Sequence, residues 1–214
     1  MLQLEQIFLR IPGFLIAISV HEYAHARMAY QLGDDTAERE GRMTLEPWAH
    51  FDPIGAIMLL LFRFGWARPV PVNPFRFRNP RKGMALVSLA GPAANAVMAF
   101  ILEVITILLF TRINFTGSVW IRLPEVLDQA AWINASLAFF NLIPIPPLDG
   151  SKILSVVLPP SLQDLWDRVE QYGFIILIVF LYSGFTSRFL WPLVMGYMQW
   201  VQNTAIAISL LVFR

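Results

Sequence analysis

Residues 20–26 read Val-His-Glu-Tyr-Ala-His-Ala, and this stretch decides how the rest of the chain is interpreted. His21 and His25 are four residues apart, so on a helix both imidazoles lie on one face and can hold one metal ion. Glu22 is rotated by about 100° from His21, which places its carboxylate beside that ion. There it can take a proton from a water molecule whose pKa a bound Zn²⁺ lowers to about 7. The pattern predicts a hydrolytic zinc site.

A plainer interpretation of these histidines has to be weighed. A single histidine in an apolar helix is more often a packed, hydrogen-bonded residue than a metal ligand. Here two histidines and a glutamate share two turns of a segment that has the composition of a membrane helix. Ionisable groups at membrane depth are costly and usually functional. The metal site is therefore the favoured interpretation.

The composition of the whole chain predicts an integral, multi-pass membrane protein. Of its 214 residues 57% are hydrophobic and 14% are charged, and the mean hydropathy is +0.57. Soluble domains average about 25% charged residues. The net charge of +1 gives no reason to expect nucleic acid binding. Because the chain has no cysteine, a zinc site has to use histidine, aspartate or glutamate.

The hydropathy pattern predicts an all-α fold with about five to six transmembrane helices. A short re-entrant or β-hairpin segment is expected between the first and second core helices. Residues 34–52 are polar and form a loop or a short β-hairpin, and residues 53–62 are too few to span a bilayer, which takes about 20 residues. A span completed by residues 64–67 stays open. No cleaved signal peptide is expected, since the first apolar stretch lacks a basic start. Helices are predicted over residues 6–31, 83–111, 125–145, 171–187 and 190–212.

Residues 66–74 read Trp-Ala-Arg-Pro-Val-Pro-Val-Asn-Pro. The prolines exclude a regular helix. Alternating valine and proline suit an extended edge strand, in which the missing N–H groups face outward. This strand is placed over Arg68 to Asn73.

The third ligand is sought among His50, Asp149 and the other acids. Prolines at positions 144, 146 and 147 unwind the end of a helix just before Asp149. A carboxylate on irregular backbone at membrane depth is costly, and a metal ion offsets that cost. Asp149 is therefore preferred, and His50 is assigned to the surface or to a structural role, with Asp52 as a possible neighbour.

The basic residues predict the orientation in the membrane. Between residues 63 and 82 there are six basic residues and no acid, which indicates a cytoplasmic segment. If Asp149 lies at the depth of His21 and His25, the predicted helices over residues 6–31 and 125–145 run parallel. We then expect the N-terminus outside, the metal site nearer the cytoplasmic face and the C-terminus inside.

Several motifs, in this order, resemble the site-2 protease family of intramembrane zinc metalloproteases. The stretch from His21 to His25, followed by Leu148-Asp149-Gly150 after a broken helix, carries the resemblance. Further stretches match the compact prokaryotic branch of the family, which lacks PDZ and CBS domains. They cover residues 41–47, 50–55, 67–74 and 91–95.

The resemblance implies Zn²⁺ on His21, His25 and Asp149, with Glu22 as general base and acid. It implies one membrane-embedded metalloprotease domain over residues 1–214, with its core at about 6–151 and C-terminal helices at about 171–212. The implied location is the prokaryotic plasma membrane. The implied partners are the lipid bilayer and a transmembrane protein substrate.

Substrate contacts are also implied. Asn95 and Asn141 line the cleft in this family. For Asn141 an oxyanion donor and a helix cap are equally good interpretations, whereas for Asn95 an interhelical hydrogen bond is favoured. Val70, Val72 and Asn73 are expected to hold an unwound substrate by strand addition.

Two rival functions use the same residues. A membrane metal-ion transporter would bind its cargo at His21, His25 and Asp149, since broken helices also occur in transporters. A non-catalytic scaffold would keep the fold without turnover. Glu22, which is placed for proton transfer, favours an enzyme that hydrolyses peptide bonds in or near transmembrane helices.

Overall fold

The computed structural model describes residues 2–55, 65–112 and 122–212, and all regular secondary structure in these ranges is helical. This confirms the predicted all-α class. Two short 3₁₀ turns lie at Pro74–Arg76 and Pro160–Leu162, and a π-helical turn lies at Thr186–Leu190. The α-helices are α1 (Leu2–Gln31), α2 (Thr36–Arg39), α3 (Pro47–His50), α4 (Pro80–Arg112), α5 (Leu123–Asn141), α6 (Asp149–Val157), α7 (Gln163–Gln171), α8 (Gly173–Tyr182) and α9 (Trp191–Val212).

The β-hairpin alternative for residues 34–52 is wrong, because this stretch folds into α2, α3 and turns. Gly33 takes a φ of +102°, which only glycine adopts readily, and ends α1. The Asp34 carboxylate then accepts a hydrogen bond from the Thr36 N–H at 3.2 Å. Such local bonds satisfy the backbone without a partner strand.

The edge strand predicted over Arg68 to Asn73 is also wrong, since the described residues contain no strand with which it could pair. The stretch has no regular secondary structure and leads into the 3₁₀ turn at Pro74, which the Asn73 side chain caps by accepting the Phe75 N–H. Two prolines remove ladder donors here. We call residues 68–73 the proline segment. Of the undecided residues 53–62, those from 56 onward lie outside the described residues.

Helix α5 ends at Asn141, four residues earlier than predicted. Pro144 has no N–H to donate, and its ring disfavours helical geometry in the residue before it. Residues 142–148 are therefore irregular, and α6 begins at Asp149.

The chain divides into two compact units. The first contains residues 1–17, 95–140 and 178–214, and the second contains residues 18–94 and 141–177. Helices α1 and α4 each contribute residues to both. The core of the first unit is rich in small side chains, which let helices approach closely; its buried members are Ala99, Leu102, Ala130, Ala131, Ala135, Val194 and Met198.

An amide network crosses the first unit. Asn95 is fully buried, and its Nδ2 donates to the Ala17 carbonyl at 3.0 Å and to Asn134 Oδ1 at 3.1 Å. Asn134 in turn donates to the Ala130 carbonyl at 2.8 Å. Residues of α1, α4 and α5 are thus joined by side-chain hydrogen bonds in an apolar interior, which agrees with the interhelical role favoured for Asn95.

One described helix, over Pro80–Thr111, is long and apolar enough to cross a membrane by itself. The helical pair Gly173–Tyr182 and Thr186–Val212 passes the same test only when taken together, and it is bent by 71° at its break. The predicted number of five to six spans therefore stays a prediction.

Replacing Asn95 with alanine should lower the free energy of unfolding by about 1 kcal/mol or more, because two buried hydrogen bonds are lost and Asn134 loses a partner. Thermal unfolding of the purified protein in detergent measures this. Asn203, which is exposed on α9, is the control, and Asn203→Ala should unfold like the wild type. Equal unfolding of the two variants would contradict the role of the network.

Candidate metal centre

Three ligand atoms converge in the second unit. His21 Nε2 and His25 Nε2 lie 2.9 Å apart, and Asp149 Oδ2 lies 3.1 Å from the first and 3.3 Å from the second. Both histidines are more than nine-tenths buried. Within the described residues, these three form the group of histidines and acids that could hold a metal ion. The structure therefore brings together the residues that the sequence proposed as ligands.

The broken end of α5 delivers the third of these residues. Inside residues 142–148, the Ile145 N–H donates to Ile143 O at 2.8 Å and the Leu148 N–H donates to Ile145 O at 2.9 Å. These tight turns replace the helical hydrogen bonds that the prolines prevent. A side chain at Gly150 would collide with the Leu142 and Ile143 carbonyl groups, so the backbone passes very close to itself here. Asp149 is thus presented at the start of α6 by a compact turn.

Gly91 forms the wall of the site on α4. A Cβ atom at this position would lie 2.5 Å from His25 Cε1, 2.6 Å from His25 Nε2 and 2.7 Å from His21 Cε1. Side chains do not approach so closely. Only glycine therefore lets α4 pack directly against both imidazole rings.

The donor set fits a metal ion. His25 Nδ1 lies 2.7 Å from the Val87 carbonyl oxygen, which can only accept, so Nδ1 carries the proton and Nε2 of the neutral ring has a free lone pair. That lone pair faces His21 Nε2 and Asp149 Oδ2. Ligands at about 2.0–2.1 Å in a tetrahedron would lie about 3.3 Å apart. The separations observed here are close to that value.

Glu22 lies beside this cluster and is held separately. Glu22 is 8% exposed, and its Oε2 accepts the backbone N–H of Val70 at 2.9 Å. The proline segment that supplies this N–H packs on α1 and α2, where buried Val70 shares a cluster with Ala26 of α1 and Ala37 of α2. A carboxylate next to a histidine ligand is thereby given a fixed hydrogen-bond donor.

The other predicted site residues have mixed surroundings. Asn141 is half-buried at the end of α5, Val72 packs between α1 and its neighbours, and the Asn73 side chain caps the 3₁₀ turn. Asn95 belongs to the first unit. His50 is fully buried rather than at the surface, and its Nε2 lies 2.8 Å from the Thr44 carbonyl, so its role is structural.

Residues that the sequence did not single out also shape the site. Asp34 is buried, and its Oδ2 accepts the Asn73 N–H at 2.6 Å, which anchors one end of the proline segment. Arg42 donates to carbonyl groups at the other end. An aspartate two residues before Thr36, just after Gly33, is the local signal that could have indicated a turn at Asp34. No local signal distinguishes Arg42 from the other polar residues of its loop.

Comparison with known proteins identifies the family. The model of peptidase family M50 matches residues 113–184. A protein of Bacillus subtilis (strain 168), named "Putative zinc metalloprotease YwhC", is 40% identical over 190 residues, which cover 84% of this chain and 82% of that protein. The chain therefore belongs to peptidase family M50.

More distant relatives agree. "Putative zinc metalloprotease Rip2" of Mycolicibacterium smegmatis (strain ATCC 700084 / mc(2)155) is 28% identical over 86% of this chain and 70% of its own length. "Putative zinc metalloprotease MJ0611" of Methanocaldococcus jannaschii is 31% identical over 63% of this chain and 62% of its own length. No solved structure matches the chain.

Replacing Gly91 with alanine should weaken metal binding by roughly 10- to 100-fold, the cost typical of disturbing groups that orient ligands. The new methyl group has to displace at least one imidazole ring. Titration of the metal-free protein with Co²⁺, followed by visible absorption, measures the affinity. The control is Gly196→Ala on α9, where a Cβ atom meets nothing within 4 Å. If both variants bind Co²⁺ like the wild type, Gly91 does not shape the site.

Proposed function

We propose that this chain is a zinc endopeptidase that hydrolyses peptide bonds in or near transmembrane helices of membrane proteins. The convergence of His21, His25 and Asp149 beside Glu22 carries the proposal. Membership in a peptidase family supports it, and so does the naming of its relatives as zinc metalloproteases.

Zinc suits this donor set. Two imidazole nitrogens and one carboxylate oxygen leave one of four tetrahedral positions open, which is the arrangement of catalytic rather than structural zinc sites. When bound, the ion polarises a carbonyl group and lowers the pKa of water towards neutrality. His21, His25 and Asp149 would hold it.

Glu22 is the general base and acid. It removes a proton from the attacking water and later gives a proton to the amine that leaves. The hydrogen bond from the Val70 N–H engages one carboxylate oxygen, Oε2, so that Oε1 is available for proton transfer. Fixing the carboxylate in advance reduces the reorganisation that the reaction requires.

The substrate has to be unwound before it can react, because every carbonyl group inside a transmembrane helix is hydrogen-bonded. In our proposal the proline segment, with its residues Val72 and Asn73, holds the unwound chain, and the Asn141 amide stabilises the developing oxyanion. The position of Asn141, at the end of α5 and just before the turn that presents Asp149, supports this role.

We propose a multi-pass location in the membrane, with the site nearer the cytoplasmic face. The apolar helix over Pro80–Thr111 and the basic residues from 63 to 82 support it. A lipid bilayer and a membrane-protein substrate are then the partners, and nucleic acid is not.

Bound zinc and cleavage of a reporter transmembrane helix, measured together in detergent, test the function. The wild type should hold about one zinc ion and cleave the reporter. Glu22→Gln should keep the zinc and lose cleavage by several orders of magnitude, since the proton acceptor is gone. Asp149→Ala should lose both, because one of three ligands is missing.

Two exposed acids serve as controls, and Glu38→Gln and Asp164→Ala should match the wild type. Full zinc content and cleavage in Asp149→Ala would place the third ligand elsewhere. If the wild type binds zinc and Glu22→Gln behaves identically in every assay, the protease function is wrong and metal-ion transport takes its place.

A further inference from the structure

We infer that Arg42 is a positioning residue for Glu22 and acts through the peptide bond between Pro69 and Val70. This inference rests on the proposed function, in which Glu22 transfers protons. The guanidinium and the carboxylate hydrogen-bond to opposite ends of the same peptide group.

Arg42 holds two consecutive carbonyl groups of the proline segment. Its Nη2 donates to the Arg68 oxygen at 2.9 Å and to the Pro69 oxygen at 3.2 Å. Arg42 as a whole is only 8% exposed, so these bonds are partly shielded from water. Because the segment has no partner strand in the described part of the chain, its carbonyl groups depend on donors of this kind.

The Pro69 carbonyl and the Val70 N–H belong to one peptide unit. A trans peptide is planar, and its C=O and N–H bonds point in opposite directions. Arg42 binds the oxygen end, and Glu22 Oε2 accepts from the nitrogen end at 2.9 Å. A bond at one end therefore fixes the direction of the donor at the other. It also polarises that donor, as hydrogen bonds in a chain do.

Arg42 is itself fixed by its loop. Its N–H donates to the Ala37 carbonyl at 2.7 Å, and Gly41 before it takes a φ of +65°. The Arg68 N–H donates to the His50 carbonyl at 2.9 Å, which secures the start of the proline segment. The guanidinium therefore reaches the segment from a rigid turn.

The charges of Arg42 and Glu22 also favour this arrangement around the Pro69–Val70 peptide. Burial lowers the pKa of Arg42 and the neighbouring Arg68 charge lowers it further, while the carboxylates of Glu22 and Glu40 raise it. Arginine nonetheless stays protonated in proteins. A cation at the oxygen end and an anion at the nitrogen end both align with the dipole of the peptide between them.

Losing the guanidinium should slow the chemical step and leave metal binding intact. In Arg42→Met the Val70 N–H loses its fixed direction, and Glu22 can adopt unproductive rotamers. Small misplacements of a catalytic group cost up to about 10²-fold in rate. We expect kcat for the reporter helix to fall roughly 10- to 100-fold, with KM within about twofold and zinc content unchanged.

Two further variants separate positioning from general stability. In the native protein one nitrogen of Arg42, Nη2, makes both hydrogen bonds, and the single amino group of a lysine can take its place. Arg42→Lys should therefore retain more of kcat than Arg42→Met. Arg39→Met removes an arginine from nearby α2 whose side chain is 66% exposed, and it should match the wild type.

The outcomes are distinct. A wild type that binds zinc and does not cleave overturns the proposed function, and this inference with it. With an active wild type, an unchanged kcat in Arg42→Met overturns the inference alone, and so does a rise in KM at constant kcat. If Arg42→Met fails to fold, Arg42→Lys decides. In that variant, a reduced kcat with normal KM and normal zinc content supports the positioning role of Arg42. A wild-type kcat or a loss of bound zinc overturns that role.

Discussion

Three side-chain atoms that converge on one small volume constrain how the elements of the second unit pack. Nε2 of His21 and of His25 lie 2.9 Å apart and both face Asp149 Oδ2. Electron-rich atoms at these distances repel one another unless a proton or a metal cation lies among them. Helix α1 supplies two of them from one face, and the third comes from Asp149, which follows the irregular residues 142–148 and begins α6. The early end of α5 and the absent side chain at Gly91 both serve this convergence.

The convergence of the three proposed ligands could be predicted because each left a local mark in the sequence. A four-residue spacing fixes two imidazoles on one helical face wherever a helix forms. Asp149 was identified from the free-energy cost of burying its carboxylate and not from a sequence motif, since a carboxylate among prolines inside an apolar stretch needs a compensating charge. The helical class followed from apolar runs that are too long for strands. These inferences use only neighbours in the chain.

What could not be predicted depends on distant partners. Residues 34–52 read as polar and suited a hairpin, yet Asp34 is buried against the proline segment and bonds to a residue 39 positions away. Arg42 bonds to carbonyl groups 26 and 27 positions away. Gly91 lies against the two imidazoles of α1, and nothing near it in the sequence indicates these neighbours. Periodicity and turn propensity carry no information about pairs of this kind.

The prolines at positions 69 and 71 lie directly before and after Val70, and this placement matters for Glu22. An imino acid at 69 still offers the carbonyl oxygen that Arg42 binds, whereas an imino acid at 70 would remove the only group of that peptide able to donate to Glu22. If the alternating prolines and valines were shifted by one residue, the stretch would keep its composition and its stiffness but would lose that donor. Natural selection on this stretch should therefore act on which residues are imino acids more than on how hydrophobic they are.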